Sequence, residues 1–82
     1  MIEEGNLRVW NVINPPNKPC YFPVATPEEG NEVITRRAKH QLKNPSIVSN
    51  AFGLEVYEHG EWCEWYNEFG EDINELFDED NI

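Results

Sequence analysis

From Leu7 to Val12 the chain alternates with period two. Leu7, Val9 and Asn11 fall on one side and Arg8, Trp10 and Val12 on the other, which predicts a strand. Asn14 to Pro19 holds three prolines and admits no regular element. Cys20 to Val24 reads as a second, short strand. Pro23 lacks an N–H and puts that strand at a sheet edge. The two runs are suited to a hairpin with a stiff loop. A change to helical period follows. Thr26 is an N-cap residue, Pro27 fits the first helical position, and Glu29 stands where a capping box needs it. Val33, Ile34, Ala38 and Leu42 then predict an apolar face on a helix over 27–43, stopped by Pro45. Ile47 or Val48 is expected to tuck the following connection into the core.

Residues 52–66 read as a hairpin turning at His59-Gly60. That turn sets Glu58 opposite Glu61, Tyr57 opposite Trp62, Val56 opposite Cys63, Glu55 opposite Glu64 and Leu54 opposite Trp65. Leu54, Val56, Cys63 and Trp65 then make a core face. Glu55, Tyr57, Trp62, Glu64 and Tyr66 make the other, and a slip of one residue would mix the two sets. Gly70 closes a turn, Asp72 to Glu75 resembles a second helix cap, and Ile73, Leu76 and Phe77 share a helical face. The fold class is therefore α+β. A small, mainly antiparallel sheet in the order β-β-α-β-β has one helix packed across a face, and a short C-terminal helix follows. One domain is expected over residues 1–77, with 78–82 an acidic, frayed C-terminus.

Charge changes this picture. The 82 residues carry 16 acidic and 6 basic side chains, a net charge of −10. All six bases lie at or before Lys43, whereas residues 55–82 hold eleven acids and no base. Such a block repels nucleic acid and attracts basic partners, and it serves equally as a solubilising surface. Chains of low hydrophobicity that stay disordered are poor in aromatics, and the 12% aromatic content here argues for a folded chain. The start has no basic n-region or apolar h-region, and no apolar run approaches a bilayer span, so neither a signal peptide nor membrane insertion is expected.

The candidate site is the second face of the 52–66 hairpin: Glu55, Tyr57, Trp62, Glu64 and Tyr66. Glu55 and Glu64 as cross-strand neighbours of like sign destabilise a sheet. Aromatic rings among them suit a partner bearing Arg or Lys. The competing structural reading is that the helix covers this face, or that Arg36 and Arg37 neutralise it. A two-fold homodimer through the same face is a further option, opposed by the facing glutamates.

Other chemistry finds little support. Cys20 and Cys63 are too few for a disulfide framework, and a single bridge requires their strands to meet. The acidic stretch 68–80 fails the spacing of a calcium loop, because Trp65 stands where Gly70 would require an acid. There is no nucleophile elbow and no Gly-rich phosphate loop. No catalytic residue, metal or cofactor is expected, and the chain is read as a binding protein rather than an enzyme. A row of carboxylates could also imitate a phosphate track, making a DNA mimic the alternative.

Two stretches carry a resemblance. Asn14-Pro15-Pro16-Asn17-Lys18-Pro19-Cys20-Tyr21-Phe22-Pro23-Val24 with Thr26 to Glu29 is one, and Ser49 to Tyr66 with Gly70 to Ile73 is the other. They resemble a family of small acidic bacteriophage superinfection exclusion proteins of the temperate Salmonella phage type, over nearly the whole chain. The resemblance implies a phage-encoded accessory protein made inside the host, acting in competition between phages or between a phage and a resident prophage, and it brings no active-site residues with it. The acidic charge and the hairpin face, with a cytoplasmic setting, point to a basic host or phage protein surface as partner, with no direct binding of nucleic acid expected.

Overall fold

A computed structural model describes residues 2–47 and 49–77. The sequence expectations for residues 78–82 and for Val48 lie outside the described residues. The elements follow the order β1 (Leu7–Ile13), β2 (Cys20–Val24), α1 (Pro27–Leu42), β3 (Asn50–Glu58), β4 (Glu61–Glu64) and α2 (Ile73–Leu76). One antiparallel sheet has the strand order β2-β1-β3-β4. Pro23 is on the edge strand β2, as its missing N–H requires. Among the described residues no helix is long and apolar enough to cross a membrane.

The hairpin register is the one that the turn at His59-Gly60 dictates: Glu55 opposite Glu64, Val56 opposite Cys63, Tyr57 opposite Trp62 and Glu58 opposite Glu61. His59 and Gly60 have φ of 55° and 83°, and two successive positive φ values give the turn a twist that matches the strands. The N-terminal segment braces it, with Glu4 Oε1 accepting from His59 N at 2.8 Å. Beyond Glu64 one further ladder bond, Trp65 N to Leu54 O at 2.9 Å, ends the pairing. Asn67 then turns the chain by accepting from the backbone N–H groups of Phe69 and Glu71.

The core is small. Val9, Leu54 and Ile73 are its fully buried apolar residues, and Leu7, Phe22, Val24, Val33, Ile34, Trp65 and Phe77 pack around them. Gly30 lets α1 come down onto this centre. A Cβ there would lie 3.2 Å from Ile73 Cδ1 and 3.3 Å from Leu54 Cδ1. Both helices begin as their sequences require. Thr26 Oγ1 accepts from Glu29 N at 3.1 Å, and Asp72 with Glu75 forms a full capping box. Glu29 departs from the reciprocal pattern, because it accepts from Ala25 N rather than from the cap residue itself.

The buried stripe of α1 is shifted from the one the apolar spacing predicts. Leu42 is 85% exposed, while Gln41 is 4% exposed and faces the sheet. The cause is Asn11, fully buried on β1, whose amide must be satisfied. Its Oδ1 accepts from Gln41 Nε2 at 2.7 Å, and its Nδ2 donates to Ala51 O at 3.1 Å. Gln41 Oε1 in turn accepts from Asn50 Nδ2 at 2.8 Å. This amide chain rotates α1 so that its last turn meets the sheet through a polar side chain. Gln41→Leu should therefore cost about 1–3 kcal/mol, because it removes the shorter bond to Asn11 Oδ1 and the acceptor of Asn50 Nδ2, whereas Leu42→Ser should stay within about 0.5 kcal/mol. Urea denaturation of the two variants checks the order.

Candidate functional site

Both helices pack on the Val9–Leu54 side of the sheet. Alternation sends the even positions of β1 and the odd positions of β3 to the opposite side, which no helix covers. The open face thus collects Arg8 and Trp10 from β1, Tyr21 and Pro23 from β2, Gly53, Glu55 and Tyr57 from β3, and Trp62 and Glu64 from β4. Of the predicted site, Glu55, Tyr57, Trp62 and Glu64 come together here. Tyr66 lies past the end of β4 and is 56% exposed.

The centre of the face is Arg8. Its guanidinium carbon lies 3.6 Å from the Tyr21 ring centroid and 4.1 Å from that of Trp62, a cation held between two π faces. Arg8 Nε donates to Glu55 Oε1 at 2.8 Å. This corrects the expectation of unpaired carboxylates: Glu55 is neutralised within the chain. The neutralising residue is Arg8, not Arg36 or Arg37. Arg37 lies on the helical side, 4.3 Å over Phe22, with its Nε 3.4 Å from Asn11 Oδ1. Among the described residues Arg8–Glu55 is the one ion pair.

Trp10 builds the second half of the face. Its indole lies flat across Gly53, where a Cβ would overlap the ring. Having crossed β3 there, Trp10 Nε1 donates to Glu64 Oε1 on β4 at 3.4 Å. Tyr57 and Trp62 meet edge to face with centroids 5.3 Å apart. Burial pushes the Glu64 carboxyl above its ordinary value; the Trp10 hydrogen bond opposes this, and the charges of Asp72 and Glu55 add to it.

Sequence reasoning missed Arg8, Trp10 and Tyr21 as members of this site. Arg8 and Trp10 share one side of their strand by alternation, but their neighbours are fixed only by the β1–β3 pairing. Gly53, a glycine inside a strand, was the one local signal of a close approach. Cys20 and Cys63 sit on opposite edge strands and are free thiols, so they form no bridge. Burial, followed by the carboxylates of Glu61, Glu58, Glu55 and Glu4, raises the pKa of Cys63. Comparison with protein-family models, with curated proteins and with solved structures finds no match for this chain.

Gly53→Ala should lose about 1–3 kcal/mol by forcing Trp10 off the strand, with a matching change in indole fluorescence. Glu64→Gln keeps an acceptor for Trp10 and removes the charge. A carboxyl with a raised folded pKa favours folding most when protonated, and that contribution is lost as pH rises through the raised value. The variant should be more stable than the parent at neutral pH. The difference should close as the pH falls to about 4, where both side chains are neutral; melting temperatures along a pH series read this directly.

Proposed function

We propose that this chain is a phage-encoded accessory protein that acts in superinfection exclusion by non-catalytic binding of a basic protein partner. The observation that carries the reading is the uncovered sheet face, where Trp10, Tyr57 and Trp62 surround the Arg8–Glu55 pair. These three rings are half-buried with no helix over them, and Tyr21 beside them is 44% exposed; part-exposed rings of this kind supply binding anchors. The Trp62 indole N–H and the Tyr57 hydroxyl have no partner among the described residues. Glu58 and Glu61 face each other beside the turn with no ion-pair partner among the described residues, and the chain carries −10 in all. A basic surface would relieve that repulsion on docking. The resemblance to small acidic phage exclusion proteins supplies the biological setting, including the host cytoplasm.

A DNA-mimic role draws less support. It needs carboxylates ranked outward, and Glu55 and Glu64 are drawn into contacts with Arg8 and Trp10. Affinity capture from infected host cells tests the proposal. Trp62→Ala, verified as folded by its thermal melt, should weaken binding by about 2 kcal/mol or more. Glu61→Gln should mainly slow association and flatten its salt dependence. Undiminished capture by folded Trp62→Ala, or displacement of the partner by duplex DNA, would contradict it.

A further inference from the structure

β4 forms one outer edge of the sheet and pairs only with β3. The bond from Trp65 N to Leu54 O fixes which backbone groups of this strand face β3. By alternation Cys63 and Glu61 also face β3, while Trp62 and Glu64 turn their N–H and C=O groups outward. These four groups have no hydrogen-bond partner among the described residues. The opposite edge differs, because Pro23 on β2 has no N–H to offer a further strand. Charge at the β4 edge has one sign. Glu61 is exposed on the helix side of the sheet, opposite Glu58, and Glu64 lies on the uncovered side, opposite Glu55. Arg8 neutralises Glu55, but Glu58, Glu61 and Glu64 have no ion-pair partner among the described residues. A second copy pairing here would bring the same acids to the seam, and acids on an open edge keep copies of one chain apart.

We infer that the β4 edge takes an extended segment of the basic partner as a fifth, antiparallel strand, with one lysine or arginine opposite Glu64 and another opposite Glu61. The inference rests on the proposed binding function and names the form in which the partner is held. Main-chain bonds to Trp62 and Glu64 supply affinity, and alternate side chains supply specificity. Two cations three residues apart project to opposite sides of a strand. One therefore meets Glu64 on the uncovered side and the other meets Glu61 on the helix side. The residue opposite Trp62 lies on the uncovered side next to the indole, which suits an apolar side chain. The residue opposite Cys63 forms a non-hydrogen-bonded pair, in which the side chains come closest. The same acids thus oppose a second copy and favour a cationic strand, so one feature both rejects and selects.

Blocked peptides centred on Lys-Thr-Val-Lys test this by isothermal titration. In the inferred register the four residues stand opposite Glu64, Cys63, Trp62 and Glu61 in turn. The parent peptide should bind, and a Glu-Thr-Val-Glu peptide should not. N-methylation of the valine, whose N–H points to Trp62, should weaken binding about tenfold or more. N-methylation of the threonine, whose N–H points away from β4, should leave the affinity nearly unchanged. In a glutathione redox buffer, with Cys20→Ser, a peptide carrying cysteine in place of the threonine should form a disulfide with Cys63. If the two N-methyl peptides bind equally, or the parent does not bind, the edge inference is overturned, while binding through the uncovered rings keeps its own test. Copies linked to each other through Cys63 in preference to the peptide would assign the edge to a second copy and overturn it too. If the glutamate peptide binds as well as the parent, the basic partner is overturned with it.

Discussion

Arg8 touches every strand of the sheet. It stands on β1, its Nε binds Glu55 on β3, and its guanidinium lies between Tyr21 of β2 and Trp62 of β4. With three fully buried apolar residues among those described, such a clamp matters more than it would over a large core. The pair is about one-fifth exposed, so its Coulomb attraction is partly sheltered from solvent. The planar cation stacks and hydrogen-bonds at once, which an ammonium group could not reproduce. One residue therefore fixes the relative placement of rings that arrive from two opposite edges of the sheet.

The other side of the sheet explains why this face stays open. Gly30 brings α1 against Val9, Leu54 and Ile73, and Asn11 holds the helix end through Gln41. Both helices are thereby committed to one side. Among the described residues no helix covers the rings on the other side, where Trp10, Tyr57 and Trp62 stay half-buried. On α1, Glu28, Glu29 and Glu32 stand exposed in the first half and Arg36, Lys39 and His40 in the second.

Short-range patterns were readable in the sequence because they depend on neighbours along the chain. The helix starts at Thr26 and Asp72, the edge position of Pro23 and the whole register of the 59–60 hairpin belong to this kind. Contacts between distant segments were not readable. Glu55 looked unpaired because its arginine is 47 residues away. Leu42 looked buried because its spacing fits an apolar stripe, and only the buried amide of Asn11 shows why Gln41 takes its place. Four of the five candidate residues do share one sheet face, but Arg8, Trp10 and Tyr21 share it too, since alternation within one hairpin cannot reveal what the neighbouring strands contribute.

The uncovered face is proposed as the surface where a partner docks. Chemical-shift mapping of the isotopically labelled chain, titrated with the partner captured from infected cells, tests it most directly. Docking there should give large shifts at the indole N–H groups of Trp10 and Trp62, at Tyr57 and at Arg8 Nε, with α1 unmoved. Shifts confined to the exposed helix surface around Arg36, Lys39 and His40, with the indoles undisturbed, would contradict it.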